Sequence, residues 1–190
     1  MFETKRATSD KFRIMTDLEK LANLLSDRNS IEKEIGSIIG RPAITGHIGE
    51  YIAADIFDIE LSESASEKSL DGYFQSGHLV GSRVNIKYYT VRGRILDITP
   101  DSLPDYYLVM MGESIPRESS RGMVYPAKIT SVHLFESVSL MGILKERGVK
   151  IGIATSVIQS LWECAEMYPR PKSSELTLSD RQVKKLALFR

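Results

Sequence analysis

The sequence has little cysteine, no surplus of either charge and no long apolar run, and each shortage narrows what the chain can be. With Cys164 alone, neither an internal disulfide framework nor a multi-cysteine zinc site can form. The 25 basic and 25 acidic side chains cancel, so no chain-wide positive field exists to coat nucleic acid, and only a local basic groove is left open. No apolar stretch approaches the roughly 18 residues that span a bilayer. Residues 1–11 are charged and lack the apolar core of a secretory signal. A cytoplasmic, reducing setting without a membrane is expected. What is present is ordinary for a globular chain: 190 residues, 42% apolar and 26% charged, enough for one core with helical additions.

Periodicity supplies the elements. Phe12, Met15, Leu18, Leu21, Ala22 and Leu25 recur at three- and four-residue spacing, which predicts a helix over 10–39. Asn29 as a cap with Glu32 three residues on predicts an interruption at 27–30, and Gly40 with Pro42 ends the helix. A second helix is expected over 44–57, with Ile48, Ile52 and Ile56 stacked, then a polar loop at 62–69. Strands are expected at 70–74, at 83–89 from its alternation, at 106–111 as an apolar run buried on both faces, and within 127–135. Helices are expected at 138–145 and 156–168, the second with Ser156 and Gln159 as a capping box. Ser179 and Gln182 offer the same box before a terminal helix ending near 188. The order predicts an α/β domain over 41–190, a central mixed sheet flanked by helices, behind an N-terminal helical extension at 1–40.

Four residues stand out as candidates for chemistry: Glu50, Asp71, Asn85 and Lys87. Asn85 and Lys87 are two apart on a strand and share a face, about 6–7 Å apart. A hairpin turning near His78 would set Asp71 opposite Asn85, with Cβ atoms about 5 Å apart. Glu50 lies at the margin of its helix's apolar stripe. Carboxylate and amide oxygens suit hard cations such as Mg²⁺, which polarise a phosphate and activate water, while a lysine stabilises growing negative charge.

At these residues the chain resembles the PD-(D/E)XK nuclease superfamily, whose fold is restriction-endonuclease-like. The resemblance rests on Gly49–Glu50, Leu70–Asp71–Gly72 and Val84–Asn85–Ile86–Lys87, and it spans 41–111. The chain also looks like a bacterial domain family carrying Thr45–Gly46–His47–Ile48–Gly49–Glu50 and the same Val84–Asn85–Ile86–Lys87. The resemblance implies phosphodiester hydrolysis of nucleic acid, DNA foremost, with Mg²⁺ or Mn²⁺. It assigns the metal to Asp71, Asn85, the Ile86 carbonyl and Glu50, and makes Lys87 the residue that assists water or phosphate. Asn85 replaces the superfamily's acidic residue: it brings no charge and cannot act as a base. The alternative is therefore a non-catalytic nucleic-acid-binding or assembly module, including a homodimer through the long first helix.

Plainer roles stand beside these. Lys87 and Asp71 would make a surface salt bridge of little consequence. Tyr88, Tyr89, Tyr106 and Tyr107 offer stacking faces for bases, but strands use tyrosine in cores. Gly46 and Gly49 suit either a phosphate or close helix–sheet packing. His47, His78 and His133 are dispersed, and Trp162 and Cys164 fit a packed helix. Arg41, Arg83, Lys87, Arg92 and Arg94 form either a phosphate-facing patch or a normal charged rim.

Overall fold

The structure, a computed structural model, describes residues 15–62, 69–114 and 126–190. The chain divides into two units, Met1–Ala43 and Ile44–Arg190. The expected helix start at 10, with Phe12, lies outside the described residues, as does most of the polar loop expected at 62–69.

In the first unit, helix α1 runs Asp17–Ile39. Thr16 and Glu19 form a capping box at its start, and Gly40, with φ of 68°, closes it in the left-handed conformation that glycine adopts at least cost. The interruption expected at 27–30 does not occur. Ser30 Oγ donates to the Ser26 carbonyl at 3.1 Å, and Arg28 Nε reaches Glu32 Oε1 at 2.8 Å, so both polar side chains bond along the helix instead of breaking it.

The second unit starts with helix α2, Thr45–Phe57, which Asp58 ends in the left-handed region. Strands β1 (Ile59–Leu61), β2 (Gly72–Phe74), β3 (Arg83–Val91), β5 (Tyr106–Glu113), β6 (Ser131–Glu136) and β8 (Glu166–Tyr168) form one mixed sheet in the order β1-β2-β3-β5-β6-β8. All neighbours are antiparallel except the parallel pair β3–β5. A second, two-stranded sheet pairs β4 (Ile95–Leu96) with β7 (Thr155–Ser156). Helices α3 (Ser137–Glu146), α4 (Gln159–Ala165) and α5 (Asp180–Leu186) complete the fold.

Alternation divides the core between two sheet faces. Val84, Ile86, Leu108, Met110 and Leu134 pack against Ile52, Ala53 and Ile56 of α2 and Leu186 of α5. Tyr107, Val109, Met111 and Phe135 pack on the other face against Leu140 and Leu144 of α3, Trp162 of α4, and Leu96 and Val157 beside the small sheet. Strand β5 is covered on both faces, as its unbroken apolar run predicts. The close approach of α2 depends on Gly49, where an added Cβ would stand 2.5 Å from the Tyr88 Cβ. Gly46, by contrast, has open space around it.

The C-terminal part differs most from expectation. Ser156 lies in β7 and does not cap a helix; α4 begins after Ile158, without a side-chain cap. The helix expected to 168 stops at Ala165, because Glu166–Tyr168 pairs with β6 as an edge strand. Cys164 is exposed, whereas Trp162 is buried. The Ser179–Gln182 capping box is present. Among the described residues, no helix is long and apolar enough to cross a membrane.

Candidate functional site

Strands β2 and β3 pair with Gly72 opposite Val84 and Tyr73 opposite Arg83, the register of a hairpin turning about His78. The ladder ends at the Gly72–Val84 pair, and Asp71 lies one residue ahead of β2. At Ser69 the backbone enters the left-handed region, at φ of 65°. Beyond the end of β2 the Asp71 side chain continues the contact with β3: its Oδ2 accepts the Ile86 N–H at 2.6 Å, while the Asp71 N–H donates to the Val84 carbonyl at 3.0 Å. The N–H and C=O of one strand residue point to the same side, so the Ile86 carbonyl also faces this margin.

Asn85 and Lys87 project from the sheet face opposite α2, beside Tyr107 and Val109 of β5. Lys87 and Asp71 are half-buried. Asn85 is only 4% exposed, and its buried Oδ1 has no hydrogen-bond partner. A buried amide oxygen left unsatisfied costs roughly 1–3 kcal/mol, and the Ser137 hydroxyl and the Trp162 indole N–H are likewise buried without a partner among the described residues.

Glu50 occupies a different layer. It is half-buried on α2 beside Gly49, on the face of Val84, Ile86 and Tyr88. A ligand common to Glu50 and Asn85 would have to sit at the sheet margin. Among the described residues no group of three His, Cys, Asp or Glu side chains is placed to hold a metal ion. Two clefts of about 330 and 370 Å³ lie elsewhere, one beside Leu140, Leu161 and Cys164, the other beside Asp55, Ser179 and Lys185.

The tyrosines serve the core. Tyr107 is fully buried, Tyr88 and Tyr106 pack on the α2 face, and Tyr89 packs on the other. Burial pushes the phenols of Tyr88, Tyr89 and Tyr107 up to about 12. Of the basic residues named above, Arg83 is engaged: its guanidinium meets Asp105 Oδ1 at 3.2 Å and its N–H donates to Asp105 Oδ2 at 2.7 Å. Burial alone would raise the Asp105 pKa, but these two bonds and the Arg83 charge hold it below the usual carboxylate range.

Sequence reasoning passed over a second polar cluster on the same face. His133 of β6 is buried between the Trp162 carbonyl (Nδ1, 2.9 Å) and Ser131 Oγ (Nε2, 3.1 Å). Its cross-strand neighbour Glu166 is fully buried and bonds Arg170. The signal was present in the alternation of Ser131 and His133 on a strand, but nothing local pointed to Glu166 as the residue opposite. No protein-family model matches the chain, and no curated protein matches it.

Proposed function

We propose that the β2–β3 margin is a PD-(D/E)XK-like site for phosphodiester hydrolysis of nucleic acid, DNA foremost, with Mg²⁺ or Mn²⁺, on a restriction-endonuclease-like domain. One observation carries the reading: Asp71 accepts from the N–H of Ile86, the residue next to Asn85, whose buried oxygen has no partner among the described residues. These donors are hard oxygens of the kind such ions take, and Mg²⁺ commonly uses only one or two carboxylates with waters and substrate phosphate. Asp71, Asn85 and the Ile86 carbonyl would hold the ion, with Glu50 approaching from α2; its chemistry when bound is to polarise phosphate and acidify water.

The chain's own residues define the rest. The bond from Ile86 fixes the Asp71 carboxylate against rotation, so it is presented in one orientation. Lys87, on the same face as Asn85, would receive a phosphate oxygen and stabilise charge growing on it. Asn85 accepts hydrogen bonds but takes no proton, so it orients ligands without serving as a base.

A binding-only reading has its own support: no three-ligand group exists among the described residues, and the position beside Lys87 is neutral. Cleavage of single- and double-stranded DNA and of RNA, with Mg²⁺ or Mn²⁺, separates the two. Hydrolysis should fall about 100-fold or more in Asp71→Ala and in Lys87→Ala. Equal cleavage by all three forms would remove the site from consideration. Salt-sensitive DNA retention without any wild-type cleavage would select the binding module.

A further inference from the structure

Helix α1 spans 23 residues, yet none of them is buried. Leu18 is 76% exposed, Leu24 65%, Ile31 57% and Ile38 68%. A helix in a protein, here about 34 Å long, owes most of its stability to packing of an apolar face. Both of its ends are well capped.

Leu21, Leu24, Arg28, Ile31, Ile35 and Ile38 follow one another at alternating steps of three and four residues, the spacing of a coiled-coil seam. Only Arg28 is polar, and its charge is already answered within the helix by Glu32 at 2.8 Å. We infer that two copies of this chain associate through α1 as an antiparallel helix pair along this seam.

Antiparallel pairing sets Leu21 against Ile38, Leu24 against Ile35 and Arg28 against Ile31 of the second copy. All six positions then meet about a two-fold axis, a self-complementary interface. A parallel pair would instead stack Arg28 on Arg28 in one layer. Leu21, Leu24, Ile31 and Ile38, each more than half exposed, supply the apolar surface that a second copy would cover. The occupant is not nucleic acid: Asp17–Ile39 carries five acids against three bases, a net charge of −2. For the same reason added salt should tighten the pair by screening like charges.

Sedimentation equilibrium of the full chain tests the inference. The expected species at about 50 µM is a dimer of twice 21.3 kDa. Leu24→Glu combined with Ile35→Glu should leave only monomer, while Ser26→Glu, on the outer face, should change nothing. Unchanged Trp162 fluorescence in each variant reports that the second unit keeps its core. In a Cys164→Ser background, a mixture of Leu24→Cys and Ile35→Cys chains should form a disulfide dimer that Leu24→Cys alone does not. A monomer at every concentration, a dimer indifferent to the paired glutamates, or efficient self-crosslinking of Leu24→Cys would each overturn it.

Discussion

Asn85 on β3 and His133 on β6 lie on the same face of the sheet, two strands apart, and both are buried. Their surroundings are opposite. The Trp162 carbonyl can only accept, so His133 Nδ1 carries the proton and Nε2 receives the Ser131 hydroxyl. The imidazole is satisfied within the chain and sealed from solvent. Asn85 keeps an oxygen with no partner and is flanked by Asp71 and Lys87, which solvent reaches. A buried polar group with its bonds complete supports the fold, whereas one with a bond missing costs stability where it stands. Stability is predicted to respond in opposite directions at the two sites.

The largest effect belongs to pH. Burial is the main reason His133 is held down to about 4; Arg92 adds to this, and the Trp162 carbonyl and Glu166 oppose it. The unfolded chain protonates this histidine near 6.5, while the folded chain resists until about 4. Between those values the unfolded state binds more protons, so stability falls as pH drops from 6.5 to 4, by roughly 3 kcal/mol, and is complete above that window. Urea titrations at pH 7, 5.5 and 4 should show the loss, and His133→Leu should remove that share of the slope. An identical slope in both proteins would place the pH dependence elsewhere.

Next in size is Ser131→Ala, which strands His133 Nε2 without a donor and should cost about 1–3 kcal/mol in the same urea midpoints at pH 7. A neutral result would mean that the closed cluster is not held by that bond. The smallest effect is expected at Asn85→Leu, which keeps the branching at Cγ and removes an unsatisfied acceptor. It should be neutral or stabilising by up to about 1 kcal/mol while abolishing any ligand response. Destabilisation by several kcal/mol would show that the Asn85 amide has structural bonds and is no open site.

Much of this architecture is legible in local pattern. The β2–β3 register follows from the separation of Asp71 and Asn85 about His78, and β5 from its unbroken apolar run. Ser179 and Gln182 announce α5 because a capping box is satisfied within four residues. Where expectation and structure part, the deciding contact is distant in sequence. Glu166–Tyr168 carries no break from the helix before it, and only pairing with β6 makes it a strand. Strands β4 and β7 are two residues each and exist only through one another. The uninterrupted course of α1 past Asn29 rests on side-chain bonds whose worth local propensity does not reveal.

For the candidate site the division is similar. The sequence by itself determined that Asn85 and Lys87 share one strand and one face, because side chains on a strand repeat with a period of two. Only the tertiary structure decided that Glu50 stands in the opposite layer, that Asn85 is buried with an unpaired oxygen, and that His133 is buried with both ring nitrogens bonded. Those outcomes depend on which distant backbone and helix come to lie against each side chain, and spacing along the chain carries no information about that.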